Sequence, residues 1–160
     1  DEGGILAHET ATFTYDEAYY LYFGNSFNKD HDPDVRYIKM HGRKIYEFAL
    51  SQVPKAMASC LEKSGIDISE VKKVLIHQAN EKMDEAIIQR FYKQYKKIPP
   101  EGIMPMSIHK LGNSSVATVP TLYDSLVKGK IENQELHKGD VIIFASVGAG
   151  MNINAIVYRM

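Results

Sequence analysis

The chain has 160 residues, of which 44% are hydrophobic and 24% are charged, and this balance predicts one globular domain with a core of its own. Nineteen basic and twenty acidic side chains give a net charge of −1, which excludes a protein that attracts nucleic acid or an anionic membrane by its overall charge. No apolar run approaches the roughly 20 residues of a membrane span, and a single cysteine excludes an internal disulfide and favours the reducing cytoplasm.

The first forty residues carry the weakest patterns. Partial alternation of apolar residues over 5–22 favours a strand followed by an aromatic-rich connection. Residues 24–34 are rich in glycine, asparagine, aspartate and proline, which predicts a polar loop more than a metal site. Because the chain starts on Asp1 rather than methionine, we interpret residues 1–160 as a single domain from a longer protein.

Residues 43–63 predict a helix with one buried stripe, since apolar side chains recur every three or four positions. Pro54 is expected to kink or break that helix, and Gly65 to stop it. Next, residues 73–76 predict a buried strand that ends at His77. A second helix follows Asn80 and ends before Pro99, and its outer face is basic.

The remaining residues predict further strands and one more helix. Residues 103–108 fit a short strand or an extended segment. Capping side chains at 113–115 predict a third helix, whose buried side is expected to carry the following residues: Val116, Val119, Tyr123, Leu126 and Val127. Strands at 141–145 and 153–158 flank a glycine turn and predict an antiparallel hairpin. Together these elements favour an α/β fold with a mixed sheet of about five strands covered by helices.

Sequence motifs lie at three places where predicted strands or helices end. They are His77-Gln78-Ala79-Asn80, the run from Gly112 to Pro120, and Gly139-Asp140 before a strand that leads to Gly148-Ala149-Gly150. In this order and spacing they resemble the C-terminal half of the ketoacyl-acyl carrier protein synthase III family, in the thiolase superfamily. The resemblance runs from about Met40 to the end and implies a thiolase-like half-domain.

The resemblance implies a Cys-His-Asn acyltransferase that starts fatty-acid synthesis. Such an enzyme joins an acyl group from a CoA thioester to a malonyl unit on acyl carrier protein, with loss of carbon dioxide and without a cofactor or metal. His77 and Asn113 would donate to the thioester oxygen as it gains charge. The backbone near Ala149 would hold a second oxyanion. The whole protein would be a cytoplasmic homodimer.

Structural explanations compete with each of these roles. A lone histidine after a strand is usually structural, and Asn113, Ser114 and Ser115 could serve only as helix caps. Cys60 lies on the apolar stripe of the first helix and behaves as a small core residue. The family's nucleophilic cysteine belongs to the N-terminal half, so this chain alone is expected to be inactive in condensation.

Docking of the acidic carrier protein is assigned to Lys82, Lys93 and Lys97 on the basic helix face, for which a merely solvated surface is the alternative. Glu47 stands where the family often has a basic residue, and Arg43 or Lys44 could compensate.

Two other functions remain open from the sequence. One is a related ketosynthase of specialised lipid or polyketide synthesis, and the other is a non-catalytic subunit that binds a carrier protein. No nucleic-acid or membrane partner is expected.

Overall fold

A computed structural model describes residues 3–160. In this part of the chain the strands are Gly4–Thr12 (β1), Leu21–Gly24 (β2), Tyr37–Met40 (β3), Val71–Ile76 (β4), Val141–Gly148 (β5) and Asn152–Arg159 (β6). The α-helices are Gly42–Ser64 (α1), Glu81–Gln94 (α2), Ile108–Leu111 (α3) and Thr118–Val127 (α4). β1 and a 3-10 turn at Glu17–Tyr20 agree with the strand and aromatic connection expected near the start.

The main sheet is mixed and has the strand order β1-β6-β5-β4. β4 and β5 run parallel, whereas β5 and β6 form the predicted antiparallel hairpin and β1 pairs with β6 in the antiparallel sense. β2 and β3 form a separate two-stranded ribbon. The helix-covered mixed sheet is therefore confirmed, but over residues 3–160 it has four strands rather than the expected five or so.

The sheet has one strand fewer than expected because residues 103–108 form no strand. The carbonyl oxygen of Ile103 accepts a hydrogen bond from the amide of Val74 at 2.8 Å, so the segment touches the β4 edge. The next bond of a parallel ladder would need an amide from residue 105, and Pro105 has none. Ile108 already belongs to α3.

α1 confirms the helix predicted from apolar periodicity, but the break expected at Pro54 does not occur, because the helix continues through it. Proline removes the amide that would bond to the carbonyl of Leu50, four residues earlier. The guanidinium of Arg90 on α2 donates to that carbonyl at 3.1 Å, and the side-chain Nε2 of Gln94 donates to the carbonyl of Pro54 at 3.0 Å. The neighbouring helix thus supplies a donor to the carbonyl that proline leaves without one.

Helices cover both faces of the sheet. Alternate residues of β4 point to opposite sides, since Val74 and Ile76 join the core cluster that contains α1 and α2, whereas Leu75 packs with Leu122 and Leu126 of α4. The central strands are consequently buried on both faces, as predicted for residues 141–145. Among residues 3–160, no helix has the length and apolar composition needed to cross a membrane.

The buried side of the third predicted helix differs from expectation. A 3-10 turn at Ser115–Ala117 precedes α4, so the α-helical phase starts only at Thr118. Thr118, Leu122 and Leu126 form the buried side. Val116 is 93% exposed and Val127 is 48% exposed, and their assignment to the core was wrong.

Candidate active site

His77 is placed by main-chain contacts at the end of β4. Its amide donates to the carbonyl of Ala145 at 3.0 Å, which extends the β4–β5 pairing by one residue. Asn80 then caps α2, because its side-chain oxygen accepts from the amide of Met83 at 3.2 Å. This cap fixes the direction in which the chain leaves His77.

The imidazole of His77 is half-buried. Burial lowers its pKa, since the charged ring is desolvated, and a hydrogen bond with the backbone of Ser115 opposes this effect only in part. The ring is therefore neutral at pH 7. A neutral imidazole can exchange a proton or share a hydrogen bond with a substrate without a fixed charge.

Asn113 lies in an exposed turn directly after α3. Gly112 makes the turn possible, with φ of 66°, and its amide closes α3 on the carbonyl of Ile108 at 2.8 Å. The side-chain oxygen of Asn113 accepts from the amide of Ser115 at 2.9 Å. Because this bond occupies the oxygen, the Asn113 Nδ2 group is left to donate to a ligand.

Ser115 lies beside both candidate side chains, because its backbone acts to raise the pKa of the His77 ring and its amide donates to the side-chain oxygen of Asn113. Its φ is 53°, an uncommon conformation for a residue other than glycine, and such conformations often occur at functional sites. Sequence reasoning considered only its hydroxyl as a cap. The hydroxyls of Ser114 and Ser115 make no cap to the helices that follow.

The glycine turn after β5 belongs to the same edge of the sheet as His77. Ile76 pairs with Ala145 in the parallel ladder, and the turn begins three residues beyond Ala145. Gly150 has φ of 72°, and a Cβ at this position would lie 2.9 Å from the side-chain Nδ2 of Asn152, which can move away. Glycine is therefore favoured there by its backbone conformation.

Ala149 is the middle residue of the glycine turn. Over residues 3–160 the non-glycine residues with positive φ are Lys96, Ser115, Asn133 and Met151, so the backbone of Ala149 suits an alanine. Its carbonyl accepts from the side chain of Asn152 at 2.9 Å, and the residue itself is exposed.

Cys60 is a core residue, as the sequence suggested. Its side chain is fully buried and its Sγ donates to the carbonyl of Ala155 at 3.4 Å. Burial raises the pKa of the thiol, which keeps it protonated. Cys60 therefore lacks the exposure and the lowered pKa of a nucleophile.

Gln78 is a second polar residue whose contacts sequence reasoning missed. Its side chain is 0% exposed although it directly follows His77. Its Nε2 donates to the carbonyl of Pro105 at 2.9 Å, and its Oε1 accepts from the amide and the hydroxyl of Ser107 at 2.8 and 3.1 Å. Its place inside the motif was the only signal in the sequence.

The lysines assigned to carrier docking, Lys82, Lys93 and Lys97, are all exposed. Lys93 and Lys97 border a cavity of about 310 Å³ whose other basic residues are Arg90 and Lys96. Lys97 also faces Asp67 at 3.5 Å, which offsets part of its charge. Lys82 borders a neighbouring groove of about 680 Å³ between α2 and residues 99–106.

Arg43 and Lys44 on α1 are the two residues that could compensate for Glu47. Arg43 forms an exposed ion pair with Glu47 at 2.8 Å. Lys44 lies over the ring of Tyr20, with 5.1 Å between its Nζ and the ring centroid.

Known proteins resemble this chain in sequence. The family described as 3-oxoacyl-[acyl-carrier-protein (ACP)] synthase III C terminal matches residues 61–160. A beta-ketoacyl-[acyl-carrier-protein] synthase III from Porphyra umbilicalis is 35% identical over 79% of the chain and 36% of its own length. Its counterpart from Lactobacillus helveticus is 29% identical over 99% of the chain and 47% of its own length. The chain thus spans less than half of these relatives.

Solved structures agree in fold. The 3-oxoacyl-[acyl-carrier-protein] synthase III from Aquifex aeolicus matches with a TM-score of 0.76 and 27% identity, over 100% of this chain and 46% of that one. The synthase III from Thermus thermophilus matches with a TM-score of 0.80 and 22% identity, over 100% of this chain and 47% of that one.

Proposed function

Since the chain belongs to the 3-oxoacyl-[acyl-carrier-protein] synthase III family, we propose that it is the C-terminal part of an enzyme that starts fatty-acid synthesis. The enzyme condenses an acyl group from a CoA thioester with malonyl-acyl carrier protein and releases carbon dioxide. The observation that carries this proposal is the position of the half-buried His77 at the carboxyl end of β4, beside the strand that leads into the glycine turn.

His77 and Asn113 act in the decarboxylation step. The bond between the malonyl carboxylate and the α-carbon breaks, carbon dioxide leaves, and the electron pair moves onto the thioester oxygen as an enolate. Two donors aimed at this oxygen stabilise the developing charge. The orientation of Asn113 supports this role, because its side-chain oxygen is already occupied and its Nδ2 is the group left to donate.

Ala149 acts in the condensation step. When the enolate attacks the acyl thioester of the enzyme, a second oxyanion forms, and a backbone amide of the glycine turn binds it. The exposure of Ala149 and its place at the carboxyl edge of β5 support this assignment.

The nucleophile is a cysteine of the N-terminal part, and this chain alone does not condense substrates. The burial of Cys60 supports this, since a thiol with no access to substrate and a raised pKa cannot form the acyl-enzyme. The full-length enzyme acts as a homodimer in the cytoplasm, as the family resemblance implies.

Acyl carrier protein docks on α2 through Lys82, Lys93 and Lys97. The exposure of all three lysines and the basic cavity beside Lys93 and Lys97 support this surface, because a cluster of positive charge attracts an acidic protein. Arg90 contributes less to docking, since its guanidinium is bonded to the carbonyl of Leu50.

The proposal is tested with the full-length protein and its His77→Ala variant. Release of CoA from an acyl-CoA measures acylation of the nucleophile, and release of carbon dioxide from malonyl-acyl carrier protein measures decarboxylation. We expect the variant to lose decarboxylation by about 100-fold to 1,000-fold, as for other lost oxyanion donors, and to keep acylation.

The exposed His137 provides the matched control, because His137→Ala removes an imidazole far along the chain and should leave both rates unchanged. Equal loss of both rates in His77→Ala would contradict the role of His77. A wild-type protein that carries out neither reaction would refute the proposed function.

A further inference from the structure

The side chain of Gln78 is a buried connector between two segments of the site. It is 0% exposed, and its three hydrogen bonds run to the carbonyl of Pro105 and to the amide and hydroxyl of Ser107. A buried carboxamide is costly unless it is bonded, so this site is built for a group that both donates and accepts.

These bonds hold residues 105–107 where strand pairing does not. The segment has one main-chain bond to β4, through Ile103, and Pro105 cannot continue the ladder. Gln78 supplies a donor and an acceptor to this stretch in the manner of a peptide group. The position of residues 105–107 therefore depends on one side chain rather than on the sheet.

Each of the two segments that Gln78 joins leads to a candidate catalytic group. On one side, His77 precedes Gln78 directly. On the other side, the carbonyl of Ser107 accepts from the amides of Lys110 and Leu111, both at 2.9 Å, at the start of the short helix α3 that leads into Asn113. A shift of Ser107 would consequently be carried through α3 to the Asn113 carboxamide.

We propose that Gln78 is a positioning residue whose carboxamide fixes the separation between the His77 ring and the Asn113 side chain. The proposal rests on the proposed function, because it assigns Gln78 to the decarboxylation that needs both groups. Acylation of the nucleophile by acyl-CoA does not depend on Gln78. A displacement of about 1 Å at such a site can lower a rate by about 100-fold.

Three variants of the full-length protein separate the possibilities. Gln78→Leu removes all three bonds and should lower decarboxylation by about 100-fold, with the KM for malonyl-acyl carrier protein and the acylation rate unchanged. Gln78→Glu can donate to the carbonyl of Pro105 only while it is protonated, so its decarboxylation should recover as the pH falls. Ser107→Ala removes only the hydroxyl bond and should lower decarboxylation by about fivefold.

Lys73→Met is the matched control for a purely structural effect. Lys73 does not contact residues 105–107, because it donates to the carbonyl of Gly102 at 2.7 Å and to the side chain of Gln134 at 2.5 Å. Its loss should lower the melting temperature but leave decarboxylation per folded molecule unchanged. If Lys73→Met and Gln78→Leu lower both rates in proportion to stability, the positioning role is wrong.

A measurement without substrate distinguishes this proposal from the proposed function. In protein with labelled histidine rings and asparagine side chains, Gln78→Leu should shift the NMR signals of the His77 ring and of Asn113 Nδ2, and Lys73→Met should not. Unshifted signals would overturn the positioning role even in an active enzyme. Shifted signals in a protein without decarboxylase activity would uphold the positioning role and refute the proposed function. If neither Gln78 variant folds, Ser107→Ala decides by the same signals.

Discussion

The two candidate catalytic side chains are supported in different ways. His77 continues β4, whose residues Val74, Leu75 and Ile76 are at most 2% exposed, and its own amide is part of the sheet. Asn113 follows α3, a helix of four residues without a buried side chain, in a stretch where Leu111 is 52% exposed.

The difference shows that one fold can place two candidate catalytic side chains by two mechanisms. The sheet and the core fix His77, so its position follows from the hydrophobic effect and the strand ladder. Asn113 is positioned by a small set of polar contacts, chiefly those of Gln78 and Ser115. Perturbing the core should therefore lower stability, whereas perturbing the polar contacts should lower the rate.

The largest expected effect is a loss of decarboxylation when Asn113, the less buried of the two candidate side chains, is replaced. Asn113→Ala removes one donor to the enolate and should lower decarboxylation by the full-length protein by about 100-fold to 1,000-fold, with little change in melting temperature because the residue is exposed. Ser114→Ala is the control, since the Ser114 hydroxyl makes no cap bond. A variant with normal decarboxylation would remove Asn113 from the mechanism.

The sequence could predict the elements placed by buried, periodic side chains, but not the polar contacts between distant segments. Periodicity alone located α1 and α2, and the motif at His77 placed it correctly at a strand end and pointed to the synthase III family, which the matches to residues 61–160 confirm. Local patterns could not show that Pro105 would end an edge ladder or that Gln78 would replace it, because both depend on which segments become neighbours. The positive φ of Ser115 could not be predicted either, because it also depends on which segments become neighbours.

In the buried core formed by the sheet and its helices, substitutions should mainly change stability. Arg90→Met leaves the carbonyl of Leu50 without the donor that compensates for Pro54, and should lower the free energy of unfolding by about 2 kcal/mol. Lys93→Met removes an exposed charge from the same helix and serves as the control. Urea unfolding measures both, and equal effects would show that the Leu50 contact stabilises nothing.

A smaller effect should appear in the docking of acyl carrier protein. Docking depends on surface charge rather than on the buried sheet around His77 or the polar contacts around Asn113. Charge reversal by Lys82→Glu and Lys93→Glu together should raise the KM for malonyl-acyl carrier protein by about tenfold, and leave the KM for acyl-CoA unchanged. Reversal of the exposed Lys55 on α1 controls for net charge. An unchanged KM for the carrier protein would exclude α2 as the docking surface.

A buried carboxyl group in α2 should make the stability of the protein depend on pH. Asp84 in α2 is 0% exposed, and neither carboxylate oxygen has a hydrogen-bond partner among residues 3–160. Burial, together with the charges of Glu81 and Glu85, raises the pKa of this carboxyl from 3.8 to about 8. The folded protein therefore keeps the proton over a pH range in which the unfolded chain has lost it.

The sign of the pH dependence follows from this difference in proton binding. Between pH 3.8 and about 8 the folded state holds one more proton than the unfolded state, so the contribution of Asp84 to stability falls as the pH rises through this window. Asp84→Asn cannot ionise, and at pH 8 it should be more stable than the wild type by up to about 5 kcal/mol. The gain should vanish near pH 4, whereas exposed Glu101→Gln should show no such trend. A parallel pH dependence in wild type and Asp84→Asn, measured by urea unfolding, would mean that burial does not raise the pKa of Asp84.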